Sequence, residues 1–232
     1  MLLRESIISS SQEGALCDNR ECVTDHRAQV RERVGDILFE YPAGSFFQNN
    51  NSVLPSLVGF IQTSIFRFAV NGGHRPSHLV DTYCGCGLFS LSLAPYFEKV
   101  VGIEVSADSI VSAKHNAELN NLSQKVDFRV GDAAHIFEVV KDFPPLQTVV
   151  VVDPPRKGCG EDFLKQLLLF RCTTIVYVSC NVHTQARDVG YLLRHSTEDN
   201  GVGHYEIVSL QGFDLFPQTA HVESVAILRL VK

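Results

Sequence analysis

Leu79-Val80-Asp81-Thr82-Tyr83-Cys84-Gly85-Cys86-Gly87 decides the fold of this 232-residue chain: an apolar run passes through a glycine turn straight into the helical pattern Leu88 to Phe97. Glycines at such a turn let the backbone bend tightly and approach a ligand, and the exposed amides of the following helix favour polar groups. Two glycines alone are weak evidence. The weight comes from what repeats on either side of them.

Downstream, short β-rich runs alternate with helical stretches. Strands are expected at Leu79 to Thr82, Val100 to Glu104, Val126 to Val130, Thr148 to Val152 and Thr174 to Val178. Helices are expected at Leu88 to Phe97, Ala107 to Asn120, Glu161 to Phe170 and Thr184 to His195, which together predict a parallel sheet covered by helices. Ser106 reads as an N-cap and Asn120-Asn121 as the end of that helix. Upstream, a further helix over roughly Val53 to Val70 precedes the first strand. The tail breaks the rhythm: Tyr205 to Leu210 and Ser224 to Val231 read as strands joined without a helix, so they pair antiparallel. A parallel five-strand core closed by such a hairpin is similar to the Rossmann-like methyltransferases rather than to dinucleotide dehydrogenases. The predicted class is therefore α/β: a seven-stranded sheet with an antiparallel last strand and helices on both faces. Before Phe46 the pattern weakens, with Val34 to Tyr41 read as a strand and Ser9 to Asp25 as loop.

Composition sets limits. A chain that is 45% hydrophobic can bury one sizeable core, and it has no apolar run long enough to cross a bilayer and no signal-peptide profile at its start. Seven irregularly spaced cysteines imply reduced thiols in an intracellular compartment. Cys17 and Cys22 are too far apart for a zinc knuckle, so no metal is expected. The formal charge of −6 excludes gripping nucleic acid by bulk electrostatics. Local patches remain, and of these Arg27, Arg31 and Arg33 read as a solvated face, whereas Arg156-Lys157 follows a double proline.

Acidic residues then mark a crevice. Glu104 ends the second strand a little over 20 residues after the glycine turn, a spacing that suits a carboxylate accepting both ribose hydroxyls. Gly131-Asp132 ends the third strand and would face an adenine amine; Asp153 ends the fourth. Either Glu104 or Asp132 alone is as readily a surface carboxylate. Together they line the carboxyl edge where open α/β sheets bind ligands. Both NAD and S-adenosylmethionine suit such an edge; Leu88-Phe89 in place of the third fingerprint glycine, the antiparallel tail and Asp153-Pro154-Pro155 favour S-adenosylmethionine.

The run Ile175-Val-Tyr-Val-Ser-Cys180-Asn181 delivers a thiol to the same edge. A lone cysteine at a strand end is more often inert packing. Beside a methyl donor, however, a thiolate suits covalent addition to carbon 6 of a pyrimidine, which makes carbon 5 nucleophilic and divides one hard step into easier ones. A base must then take the carbon 5 proton. Glu223 starts the reversed final strand, so it falls at the same edge as Cys180.

These residues resemble a family, the RNA 5-methyluridine methyltransferases, and most of all the tRNA (uracil-5-)-methyltransferases of fungal type. The matching segments are Ala43 to Asn50 (AGSFFQNN), Asp81 to Gly87, Val101 to Ser106, Asp153 to Gly158 (DPPRKG), Ser179-Cys180-Asn181 and Phe216 to Glu223 (FPQTAHVE). The resemblance implies Cys180 as the nucleophile that adds to uracil, Glu223 as proton acceptor, and Gln48, Tyr83, Glu104, Asp132 and Asp153 as contacts to S-adenosylmethionine. Phe46 or Phe47 would pack on the target base. Leu88 stands where bacterial relatives often carry asparagine. The implied substrate is a uridine of tRNA, in the T-loop. The family's N-terminal RNA-binding domain has no counterpart here: residues 1–42 read as the remnant of a preceding central domain or an extension, and 43–232 as the catalytic domain. Two other readings keep some of the same features. A 5-methylcytidine RNA methyltransferase shares the covalent logic but places its cysteine after proline or threonine, and a non-catalytic RNA-binding or chaperone-like module would keep the cofactor turn without turnover.

Overall fold

The computed structural model of the chain describes residues 4–9, 19–67, 75–131, 136, 140–197 and 203–231. In chain order its elements are β1 (Arg4–Ser9), β2 (Asn19–Val23), β3 (Gln29–Val34), β4 (Ile37–Pro42), α1 (Leu54–Arg67), β5 (His78–Thr82), α2 (Leu88–Leu93), β6 (Lys99–Glu104) and α3 (Ala107–Leu119). They continue with β7 (Val126–Val130), β8 (Thr148–Val152), α4 (Glu161–Phe170), β9 (Thr174–Ser179), α5 (Val182–Ser196), β10 (His204–Phe213) and β11 (Glu223–Val231).

Seven strands form one sheet of order β10-β11-β9-β8-β5-β6-β7. Strands β5 to β9 run parallel, and β11 enters antiparallel against β9 and β10. This is the Rossmann-like methyltransferase arrangement that the tail of the sequence predicts. Strands β8 and β9 are buried at every position, as largely apolar strands covered on both faces should be. One face packs Leu57, Ile61, Leu91 and Ala113 from α1, α2 and α3; the other packs Phe163, Leu167 and Leu192 from α4 and α5. The chain changes direction at β5, which pairs with β6 on one side and β8 on the other, so a crevice opens at the carboxyl ends of these strands.

Local signals explain most boundaries. The Ser106 hydroxyl accepts the Ser109 amide at 3.2 Å and caps α3, whose exit passes through Asn121 at φ 58°. Pro95 cannot continue an α-helix, and the expected Leu88–Phe97 helix accordingly stops at Leu93 and tightens into a 3₁₀ turn over Ala94–Tyr96. The helix before β5 spans Leu54–Arg67, and residues 68–70 of its expected range lie outside the described residues.

Two expectations for the N-terminal part need correction. The stretch Val34 to Tyr41 is not one strand: Gly35, at φ 57°, turns the chain so that β3 and β4 form a hairpin in which Val34 pairs with Ile37. The segment read as loop contains β2, paired antiparallel with β1. Its charges hid it. Four of its five residues are exposed, so no apolar alternation marks it; Arg20 reaches across to Glu32 of β3, 8% exposed, through two bonds of 2.7 and 2.9 Å. The hairpin docks on α3: Asn120 exchanges bonds with the Leu38 amide and carbonyl at 2.9 and 2.7 Å, and the Glu40 amide donates to Asn116 at 2.7 Å. Val30, Phe39 and Tyr41 thereby join the core beneath α1 to α3. Among the described residues no helix is long and apolar enough to cross a membrane.

Candidate active site

Every strand that reaches the crevice contributes one side chain or turn to a single cavity of about 950 Å³. After β5 the chain enters its tight turn with Tyr83 at φ 62°, a left-handed conformation that costs a residue other than glycine about 1 kcal/mol. Gly85 follows at φ 54°, and a Cβ there would meet nothing within 4 Å, so the turn presents bare backbone to the cavity. The Asp81 carboxylate is wholly buried, accepts the Ser90 amide and hydroxyl at 2.8 and 2.6 Å, and pins the turn to α2. Burial raises its pKa to about 7 against the pull of those bonds.

Glu104, at the end of β6, is held from two sides. One carboxylate oxygen accepts the Gly85 amide at 3.2 Å and the other the Ser106 amide at 3.0 Å. Each oxygen keeps acceptor capacity toward the cavity. Gly131, after β7, lines the same space, whereas Asp132 lies outside the described residues. Gln48 arrives from the segment between β4 and α1; it is 8% exposed, and its Oε1 has no hydrogen-bond partner. A buried, unsatisfied amide oxygen lining a cavity is an acceptor waiting for a ligand donor.

The opposite wall carries the reactive groups. The pairing of Ser224 with Ser179 sets Glu223 on β11 across from Cys180, each one residue beyond the matched pair. Glu223 is 1% exposed, neither of its oxygens has a partner, and burial lifts its pKa from 4.5 to about 7. Asp153 follows β8; burial first, then the charges of Glu223 and Asp81, push its pKa well up. Cys180 is half-buried, and its pKa is raised by burial and then by Glu223, while Arg156 beside it pulls the other way.

The Arg156 loop is itself anchored. Asp188, fully buried on α5, accepts the Tyr177 hydroxyl at 2.5 Å and the Cys159 amide at 2.7 Å, and it pairs with Arg187 at 2.7 Å. Arg187 also donates to the carbonyls of Lys157 and Cys159 at 3.0 and 3.3 Å. Gly158, at φ 76°, fits only without a side chain: a Cβ would lie 2.5 Å from Arg187 Nη2 and from Asp188 Oδ2. Nothing in the pattern around Arg187-Asp188 singles this anchor out in the sequence, since it reads as the polar face of a helix.

The profile of the family described as tRNA (Uracil-5-)-methyltransferase matches residues 2–231. The chain belongs to this family. It is 47% identical over 222 residues to the tRNA (uracil(54)-C(5))-methyltransferase of Schizosaccharomyces pombe, covering 95% of this chain and 41% of that protein. With the Saccharomyces cerevisiae protein of the same name the identity is 46% over 212 residues, covering 91% and 32%. This family member thus spans well under half the length of those two relatives. The solved Pyrococcus abyssi tRNA (uracil-54, C5)-methyltransferase, in complex with S-adenosyl-L-homocysteine, superposes with a TM-score of 0.70 at 31% identity, over 94% of this chain and 48% of that one. Pyrococcus horikoshii TYW2 (TM-score 0.61, 16% identity) shares the fold alone.

In this methyltransferase-family chain, Gln48, Tyr83, Glu104, Asp153, Cys180 and Glu223 all line one cavity. The aromatic pair divides. Phe47 is 3% exposed and stacks on Tyr41 at 4.6 Å, whereas Phe46 is 77% exposed at the cavity. Arg156, noted in the sequence as part of a basic pair and of the DPPRKG segment but given no role there, stands against the thiol.

Proposed function

We propose that this chain methylates carbon 5 of a uridine in tRNA, in the T-loop, through a covalent adduct of Cys180 at uracil carbon 6. The observation that carries the reading is the placement of Cys180 opposite Glu223 on paired strands, facing the cavity that holds the glycine turn and Glu104. The names of the relatives support the same activity, base and substrate class.

The residues present fit S-adenosylmethionine. The orphaned Gln48 Oε1, the bare Gly85 backbone and the spare acceptor capacity of Glu104 offer what a molecule rich in amine and hydroxyl donors needs, and Tyr83 and Asp153 complete its walls. Asp132 is assigned to the same group by its place after β7. When bound, the cofactor supplies an electrophilic methyl group. Phe46, exposed at the mouth, offers its ring to stack on the incoming base.

Cys180, half-buried, gives up its thiol proton to solvent and its sulfur bonds to carbon 6, moving the C5–C6 π electrons toward carbon 4 and its oxygen as an enolate. Arg156 favours the thiolate; the Glu223 charge opposes it. Once sulfur is bonded the negative charge passes to the enolate, and it is neutralised when carbon 5 takes up the electrophilic methyl group. Glu223 then faces neither a thiolate nor an enolate, so it can hold its own negative charge. After carbon 5 carries the methyl group, Glu223 removes the remaining carbon 5 proton. The electrons of that C–H bond restore C5=C6, and the C6–S bond breaks to return the thiolate. A buried carboxylate with a pKa of about 7 suits this step, because its basicity exceeds that of an ordinary carboxylate.

The test is incubation with 5-fluorouridine-substituted tRNA and S-adenosylmethionine. Fluorine at carbon 5 leaves no proton to remove, so a covalent protein–RNA complex accumulates on denaturing gels. Cys180→Ala abolishes that complex and lowers turnover on normal tRNA by about 10⁴-fold or more. Trapping by Cys180→Ala at the wild-type level would remove the nucleophile from this scheme.

A further inference from the structure

The crevice wall opens a second time beside the nucleophile. A recess of about 360 Å³ shares Arg156 and Cys180 with the main cavity and is walled by Asn181 and His183 at the start of α5 and by His221 in the loop before β11. The two cavities differ in kind. The main one is lined by Glu104, Asp153 and Glu223, whereas the lining of the second holds a guanidinium, two imidazoles and no carboxylate. In a chain of net charge −6, a recess of that composition selects an anion.

Its donors are set in place by the backbone beneath them. Asn181 Nδ2 and Thr184 Oγ1 both donate to the Arg156 carbonyl, at 3.0 and 3.2 Å, tying the Arg156 loop to the first turn of α5. Asn181 Oδ1 accepts the His183 amide at 3.1 Å. Across the recess the His221 amide donates to Thr219 Oγ1 at 3.2 Å, and that hydroxyl donates to the Phe216 carbonyl at 2.7 Å. The side chains of Arg156, His183 and His221 are all exposed, and Val182 and Val222, each 45% exposed, supply apolar flanks. An anion carried on an apolar frame, as a phosphodiester is carried between sugars, fits both the donors and the flanks.

We propose that this recess holds a phosphodiester of the RNA strand next to the nucleotide whose base enters the main cavity, with Arg156, His183 and His221 as donors. The proposal rests on the RNA reading above. Its reason is geometric: the cavities meet at Cys180 and Arg156, so whatever occupies the second is a neighbour of what reacts in the first, and in RNA every base has a phosphate on each side. A guanidinium and imidazole N–H groups are common phosphate donors. Arg156 thus couples the backbone position of the RNA to the state of the thiol it touches.

The experiment is a binding cycle that needs no turnover. Affinity for a fluorescein-labelled RNA hairpin presenting a loop uridine is measured for the full chain and for His183→Ala/His221→Ala. Each protein is tested against all-phosphate RNA and RNA with uncharged methylphosphonates on both sides of that uridine. Each change alone is expected to weaken binding about tenfold, and the variant to lose about one phosphate from its salt slope. The two changes together should cost clearly less than the product of the two alone, because they remove a shared contact. Losses that multiply, an unaffected variant, or a wild-type chain that binds no hairpin would each overturn the proposal. Inorganic phosphate is titrated in parallel while the His183 and His221 ring resonances are followed. Saturable shifts without RNA, together with an unaffected hairpin affinity in the variant, would assign the recess to free phosphate instead. Trapping on 5-fluorouridine RNA reports the catalytic reading separately, so lost trapping with an intact binding cycle sinks that reading and not this one.

Discussion

Glu104 and Glu223 are the same residue type on the same crevice, and the chain treats them in opposite ways. Glu104 sits among backbone amides, each oxygen engaged by one N–H from Gly85 or Ser106. Glu223 sits among apolar strands with no partner for either oxygen and a pKa lifted to about 7. On the proposed reading one carboxylate is a fixed acceptor and the other a poised base, and what separates them is which backbone surrounds them. The cofactor wall is built from turns that expose N–H groups. The reaction wall is built from β9 and β11, whose amides are spent on each other.

The sharpest way to break this contrast is to remove the base. Glu223→Gln should lower turnover by about 10³-fold, within the range of a positioned general base, while Cys180 still adds to the ring. A covalent complex should therefore build up on ordinary uridine RNA, visible on denaturing gels without any fluorine. In the wild type the rate should rise with pH through about 7 as Glu223 ionises, and the variant should lose that limb. A variant that turns over normally would move the base elsewhere.

Stability offers a second test with the opposite sign. A Glu pKa raised from 4.5 to about 7 on folding favours the folded state fully below the unfolded value, and that contribution is lost as pH rises through the folded value. The shift corresponds to about 3 kcal/mol. Urea unfolding at pH 5 and pH 8 should show Glu223→Gln gaining up to about 3 kcal/mol relative to wild type between the two. Asp81, raised to about 7 by burial, acts in the same direction in both proteins and cancels from the difference. An equal pH dependence in the two proteins would show that Glu223 is hydrated.

The smallest effect belongs to the acceptor. Glu104→Gln keeps one acceptor oxygen but turns the other into a donor facing a backbone N–H, so S-adenosylmethionine binding by calorimetry should weaken about tenfold to a hundredfold. Trapping on ordinary uridine RNA, the mark of a missing base, should not appear in this variant. If Glu104→Gln accumulated that covalent complex as Glu223→Gln does, the two carboxylates would not be distinct in kind.

Much of this was legible in the sequence because it depends on order and direction. The apolar runs of β5 to β9, the Ser106 cap and the helix-free link between β10 and β11 fix a parallel sheet closed by a hairpin. That direction alone brings Glu223 to the edge where Cys180 ends its strand. What could not be read depends on meetings across the chain. Glu32 is an inward residue only because Arg20 pairs with it, and β4 needs no partner strand beyond β3 because Asn116 and Asn120 satisfy it from a helix far along the chain. The split between Phe46 and Phe47 was equally invisible, since it turns on a ring stacked over Tyr41.

The Asp188 anchor has one further consequence. A buried carboxylate that ties Tyr177, Cys159 and Arg187 together clamps the Arg156 loop between β9 and α5, so the wall around the thiol cannot yield without stripping that carboxylate of its hydrogen bonds. A socket that does not deform leaves the deformation to its guest. On the reading proposed here, the uridine must be swung out of its stack before it can reach Cys180, at a cost of a few kcal/mol set by how loosely the RNA holds that base. Selection of the target would then begin in the RNA's own readiness to unstack, before any side chain has read its edge.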